Sequence, residues 1–175
     1  ASTWSRRRDR VDVVACSCRR PVRRYLEQGL IVPGGVGQQV NNIVVAIDTS
    51  DSIAANMLGL FKRELRAIVE LADELTVLTC DNEVRQAVRN DQVAAWIHRG
   101  EFHGGGGTDH RPVFEWIEAQ RLSPDLLICF TDLDSYFPLK APPYPVIWVC
   151  EETAERTPSF GHVVFVPSLP ESTHP

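Results

Sequence analysis

Ile43-Val44-Val45-Ala46-Ile47-Asp48-Thr49-Ser50-Asp51-Ser52 decides how this chain is read. Five consecutive apolar residues, four of them β-branched, end abruptly in a carboxylate and a run of short polar side chains. An unbroken apolar run of this length, bounded by polar residues, reads as a strand buried on both faces. The next segment reads as a helix. Ile53, Met57, Leu60, Phe61, Leu65, Ile68, Val69 and Ala72 recur mostly at spacings of three and four, with Lys62, Arg63, Glu64 and Arg66 between them. Asp48, Ser50 and Ser52 therefore stand where a strand gives way to a helix. Their alternation directs three oxygen-bearing side chains to one side of an extended turn.

The same alternation continues downstream. Residues 75–80 read as a second strand, ended by Asp81-Asn82, and residues 83–88 read as a third strand reached by a tight hairpin. Residues 93–97 suggest a short helix. Asp109 is placed to cap the next helix, with Pro112 in its first turn and Val113, Trp116 and Ile117 on its apolar side. Leu126–Phe130, Val146–Cys150 and residues 163–166 supply three more strands. Strands and helices in alternation predict an α/β fold, a doubly wound and mostly parallel sheet with helices on both faces. Ligands of such sheets bind beyond the carboxyl ends of the strands, where Asp48 and Asp132 both fall.

Length and composition fit that reading. With 175 residues, 43% of them hydrophobic and 23% charged, the chain can bury one sizeable core. No apolar run approaches the roughly 20 residues that span a bilayer, and the N-terminus lacks the apolar centre of a secretory signal. The expected organisation is a basic arm and linker over residues 1–40, a folded domain over 41–168 and a tail over 169–175. The arm is distinctive in charge. Residues 1–24 hold eight Arg and two Asp, so +6 of charge sits on an acidic remainder of −11. A short arm by itself is weak ground for nucleic-acid binding, and a solvated or interdomain strip is the favoured reading. Pro21, Pro33, Gly34, Gly35 and Gly37 break any long element there, and Tyr25-Leu26-Glu27-Gln28 suggests one helical turn. Of five Cys, Cys80, Cys129 and Cys150 sit in or beside apolar runs as small hydrophobes, and Cys16-x-Cys18 has no second pair at zinc spacing. A reduced, cytoplasmic setting without structural zinc is expected.

Two further segments complete a candidate site. Gly104-Gly105-Gly106-Gly107-Thr108-Asp109 carries a hydroxyl behind glycines, and Thr131-Asp132 comes directly after the strand Leu126–Phe130. Mg²⁺ takes six hard oxygens in an octahedron. Ser50, Ser52 and Thr108 offer neutral oxygens, and Asp48 and Asp132 can orient those hydroxyls and bound waters from behind. A Mg²⁺ or Mn²⁺ ion ringed by neutral oxygens keeps its electrophilicity and draws an anionic ligand from outside, a Glu or Asp of a protein partner. The metal residues expected are thus Asp48, Ser50, Ser52, Thr108 and Asp132.

The constellation resembles the metal-ion-dependent adhesion site of von Willebrand factor A (VWA) domains. Asp48, Ser50 and Ser52 match its first motif, Thr108 its second and Asp132 its third, within about residues 42–167. A closer resemblance is to the bacterial VWA-like domain at the C-terminus of proteins assigned as metallopeptidases. It is carried by Val44 through Ser52, by Gly105-Gly106-Gly107-Thr108-Asp109 with Arg111-Pro112-Val113-Phe114, and by Pro145-Val146-Ile147-Trp148-Val149. Arg19-Arg20-Pro21-Val22-Arg23-Arg24-Tyr25 with Val32-Pro33 resembles the linker preceding that domain. The resemblance implies a Rossmann-like fold, metal-dependent protein binding and, as one partner, an ATPase of the MoxR type. The alternative it implies is a non-catalytic C-terminal part of a metal-dependent hydrolase. One departure stands out: many VWA domains read Thr-Asp-Gly at the third motif, and Leu133 occupies the glycine position here.

Rival chemistries lack parts. No His-Glu-x-x-His occurs, and His98, Glu101 and His103, in the wrong order and spacing, read as surface loop residues. A haloacid-dehalogenase-type phosphotransferase needs an acid where Ser50 stands. Asp132-x-Asp134 suits a Toprim-like nuclease, but no suitable Glu precedes it at a strand end. Gly34-Gly35-Val36-Gly37 lies before the first strand rather than after it, and Gly104-Gly105-Gly106-Gly107 lacks the Lys of a phosphate loop. Trp96, Trp116 and Trp148 are read as packing residues, and Tyr136-Phe137-Pro138 with Pro142-Pro143-Tyr144-Pro145 as a rigid surface loop near the site.

Overall fold

The strand that opens the domain is flanked on both sides by other strands, which is why its inner residues are apolar without interruption. It runs Asn42–Asp48 (β1) and is buried from Ile43 onward. The structure is a computed structural model. It describes residues 41–51, 53, 55–69, 72–99, 105–150 and 157–166, and in the N-terminal part the backbone of residues 20–21 and 33–34. The chain divides into two compact units, residues 1–39 and 40–175. In the first, Arg20–Pro21 pairs antiparallel with Pro33–Gly34. Cys16, Cys18 and the expected turn at Tyr25 lie outside the described residues.

In the second unit, β1 is followed by helix α1 (Ala55–Val69), strand β2 (Glu74–Cys80), strand β3 (Val84–Arg89) and helix α2 (Asp91–Arg99). Helix α3 (Arg111–Ala119) then precedes strands β4 (Leu126–Phe130), β5 (Val146–Cys150) and β6 (His162–Phe165). The sheet order is β3-β2-β1-β4-β5-β6. All neighbours are parallel except β3, which turns back antiparallel on β2. The chain leaves β1 toward one edge and later returns to its other side at β4. A switch of this kind opens a crevice between the carboxyl ends of β1 and β4.

Strand alternation sends the two sets of core residues to opposite faces. On one face, Phe61 of α1 meets Phe130 of β4 with ring centroids 4.9 Å apart, and Leu60, Leu65 and Ile68 are buried. On the other, Val113 and Ile117 of α3 join Val44, Ala46, Leu127, Cys129 and Trp148 in one cluster. Trp96 and Trp148 are core residues, as expected. Trp116 is half-buried beneath the Arg89 guanidinium.

Several boundaries differ from expectation. Ile53 precedes α1 instead of starting it, in a turn where its N–H donates to the Ser50 carbonyl, and Ala72 lies beyond the helix end, its N–H donating to the Ile68 carbonyl. Helix α2 is longer than residues 93–97 suggested. Its last turn includes His98, which is exposed on a helix and not in a loop, while Glu101 and His103 lie outside the described residues. The N-cap of α3 is His110, not Asp109. Asp109 instead accepts the backbone N–H of Arg111 at 2.9 Å and its guanidinium at 2.6–3.0 Å.

Candidate functional site

Asp48 ends β1 fully buried. Its position comes from register. Ile47 lies opposite Phe130, so Asp48 comes level with Thr131, the first residue beyond β4. The Thr131 hydroxyl donates to Asp48 Oδ2 at 3.0 Å, and the Ser50 N–H donates to Oδ1 at 2.9 Å. The first and third motifs are thus joined by a buried side-chain hydrogen bond. Thr49 faces the neighbouring strand, its N–H and hydroxyl both donating to the Cys80 carbonyl.

The second motif is tied to both. The Asp51 N–H reaches the Gly106 carbonyl at 3.5 Å, and the Asp109 N–H donates to the Asp81 carbonyl at 2.9 Å. Asp81 is buried at the β2–β3 turn, where it accepts the Glu83 N–H and the Arg85 guanidinium. A Cβ at Gly106 would lie 3.5 Å from Asp81 Oδ2, so the glycine run lies close against this turn. Asp109 forms a parallel bridge with Tyr136, and the His110 N–H donates to the Tyr136 carbonyl at 3.0 Å. Thr108 and Asp132 are both half-buried, and Asp132 accepts the Asp134 N–H at 3.0 Å. Segments 48–51, 105–110 and 131–136 therefore converge at one sheet edge. The Ser52 side chain lies outside the described residues.

The glycine position of the third motif holds a surprise of conformation. Leu133 adopts φ +66°, the left-handed geometry glycine favours. Its N–H donates to the Thr131 hydroxyl at 3.0 Å, and its side chain is fully buried in the α3-face cluster. A left-handed L-residue costs roughly 1–2 kcal/mol. Burying a leucine side chain returns about 1.5–3 kcal/mol, enough to hold the turn without glycine.

Electrostatics mark the floor of the crevice. Burial is the largest influence on Asp48 and outweighs its hydrogen bonds from Ser50 and Thr131, so its carboxyl is pushed up to about 6. The nearby negative charge of Asp132 adds to the rise. The basic group facing it is His110, whose Nε2 lies 3.9 Å from Asp48 Oδ2. Burial lowers that imidazole to about 4, against the pull of Asp132 and Asp109, so it is neutral near pH 7 and offers no counter-charge. A buried carboxylate beside a second acid and a neutral imidazole is the environment a divalent cation relieves. Among the described residues, no three side chains of His, Cys, Asp and Glu converge as ligands. A cation held here would therefore have to draw on hydroxyl oxygens as well. Burial raises the thiols of Cys80, Cys129 and Cys150, which leaves them inert.

Sequence spacing did not bring His110, Thr131 and Ser135 together beside Asp48, as the structure does. His110 sits between Asp109 and Arg111, and polar neighbours on both sides conceal its burial. The available signal was its place two residues after Thr108.

A family profile described as "VWA-like domain (DUF2201)" matches residues 43–167. A curated protein of Thermotoga maritima, described only as uncharacterized, is 32% identical over 114 residues. That match covers 65% of this chain and 27% of the relative, so the chain corresponds to about a quarter of the relative's length. No helix among the described residues is long and apolar enough to cross a membrane.

Proposed function

The chain belongs to the VWA-like domain family, and from that premise we propose that it is a protein-binding module that works through a divalent metal. The observation that carries the reading is the convergence of three motif segments around a buried carboxylate that has no cationic partner among the described residues. Ser50, Ser52 and Thr108 would hold Mg²⁺ or Mn²⁺ through neutral oxygens. Asp48 and Asp132 would act from behind. Asp48 already fixes the Ser50 backbone and the Thr131 hydroxyl, so it sets the ligand loop in place. When bound, the cation supplies an electrophile for an incoming carboxylate. A partner's Glu or Asp would enter this partly dry cleft, where charge attraction exceeds its value in water. An ATPase of the MoxR type is the first partner to try.

The test combines metal and partner. Titration with Mg²⁺ or Mn²⁺ should raise the melting temperature in a dose-dependent way, because the ion binds the folded state alone. Ser50→Ala should abolish the rise. Pull-down of a MoxR-type ATPase should need both the metal and Thr108. A melting response unchanged in Ser50→Ala, or ATPase retained equally with chelator and in Thr108→Ala, would reject the reading.

A further inference from the structure

His110 is 1% exposed, and its ring is held on three sides. Phe137 stacks on it and Trp148 meets it edge-on, each with centroids 5.7 Å away. Nδ1 lies 2.6 Å from the Ser135 hydroxyl. That hydroxyl gives its own hydrogen to the Tyr136 carbonyl at 3.2 Å. With the hydroxyl hydrogen so directed, the imidazole proton sits on Nδ1, which donates to Ser135, and Nε2 carries a lone pair. Nε2 has no hydrogen-bond partner among the described residues, and it lies 3.9 Å from Asp48 Oδ2. Two hydrogen-bond acceptors thus face each other in a buried place, which costs free energy unless a donor lies between them.

The separation discriminates between candidates for that donor. A cation about 2.1 Å from both atoms would subtend an angle of about 135–140°, far from the right and straight angles of an octahedron. A water at hydrogen-bond distance of about 2.8 Å from both would subtend about 90°, near its own H–O–H angle. We propose that His110 is a positioning residue of the cation site, its Nε2 and Asp48 Oδ2 together accepting the two hydrogens of one water in the cation's hydration shell. This rests on the metal-dependent reading above and extends it to a residue outside the motifs. The ligand it selects is a hydrated divalent cation. Mg²⁺, which gives up water reluctantly, suits such a seat.

The experiment uses the full chain, with Mg²⁺ as the probe. Long-range proton–nitrogen NMR of the parent should show the Nδ1–H tautomer at His110. Added Mg²⁺ should move the Nε2 resonance without protonating it. By calorimetry, His110→Asn keeps a polar group for the Ser135 side but loses the Nε2 lone pair, and Mg²⁺ affinity should fall about 10–100-fold. His110→Gln, which can present an oxygen near the Nε2 position, should recover most of that loss. Melting curves confirm that each variant folds, and the tautomer measurement needs no variant. If the proton is found on Nε2, or if His110→Asn binds Mg²⁺ as tightly as the parent while Ser50→Ala does not, His110 is structural and the inference fails alone. If the parent binds no Mg²⁺ at all, the metal-dependent reading fails and takes this inference with it.

Discussion

Asp48, Thr131 and His110 form a floor that is 0–1% exposed, locked by side-chain hydrogen bonds and aromatic packing. Gly105, Gly106 and Gly107 form a rim that is exposed or half-buried. Backbone contacts tie this segment to its neighbours, one at 3.5 Å from Asp51 to Gly106 and one at 2.9 Å from Asp109 to Asp81. The floor has the burial that gives hydrogen bonds and charges their full effect. The rim has little apolar surface to bury, so its shape depends on the conformations its glycines permit. Changes in the floor should therefore register in stability as well as in ligand binding, and changes in the rim in ligand binding with little effect on stability. Substitutions at three positions test that division.

The largest stability effect is expected at Leu133. It is fully buried, and Leu133→Ala should cost about 2–5 kcal/mol in denaturant unfolding. Leu133→Gly sharpens the point. At an ordinary site glycine is worse than alanine by roughly 0.5–1 kcal/mol. Here φ is +66°, where alanine carries a left-handed penalty of roughly 1–2 kcal/mol that glycine escapes. The glycine variant should be at least as stable as the alanine variant. The opposite order would mean that Leu133 does not hold this conformation in solution.

Asp48→Asn comes next, and it carries a pH signature. The folded carboxyl stands at about 6, above its ordinary 3.8, so the fold prefers it protonated. That contribution to metal-free stability is fully present below 3.8 and is lost as pH rises through about 6. A gap of about 2 units corresponds to roughly 3 kcal/mol, less what the altered hydrogen bond to Thr131 costs, leaving about 2 kcal/mol. Without metal, Asp48→Asn should therefore be more stable than the parent at pH 8, with the advantage gone by pH 4. Saturating Mg²⁺ should restore the parent and leave the variant unmoved. Parallel stability–pH curves for the two proteins would show that Asp48 is not a strained anion.

The sheet was legible and the floor was not, because the two leave different traces in a sequence. β1, β4 and β5 are buried on both faces, so each is a run of apolar residues with sharp ends, and their alternation with helices along the chain already implied a parallel sheet. Asp48, Ser50 and Asp132 could be placed at the carboxyl ends of β1 and β4 because strand ends can be located from those runs. The Thr131–Asp48 bond needed register, which spacing along the chain does not reveal. The His110–Ser135 clasp joins residues 25 apart in sequence, through a ring whose burial is hidden by charged neighbours. The helix cap was misplaced by one residue because Asp109 is a good capping type drawn instead to Arg111. Leu133 looked like a fault in the third motif, since conformation at a single residue depends on what the side chain can bury.

Gly105→Ala should have the smallest effect on stability and tests the rim from the other side. Gly105 has φ +125°, a region an L side chain rarely adopts, and a Cβ there would stand 3.3 Å from Asp51 Oδ1. Holding that geometry with alanine would cost on the order of 1–3 kcal/mol. The residue is exposed, so the loop can relax outward instead of bearing that strain. Relaxation would save the fold at the expense of the site, because Gly106 receives the Asp51 N–H and Thr108 stands two residues further on. The metal-free melting temperature should therefore move by no more than about 2 °C, equivalent to a few tenths of a kcal/mol in a domain of this size. Mg²⁺ affinity should fall by about tenfold, the loss of one well-placed oxygen ligand, near 1.4 kcal/mol. The reverse outcome, a large drop in melting temperature with unchanged Mg²⁺ affinity, would mean that the glycine run supports the fold and that Thr108 reaches no cation, erasing the division between floor and rim.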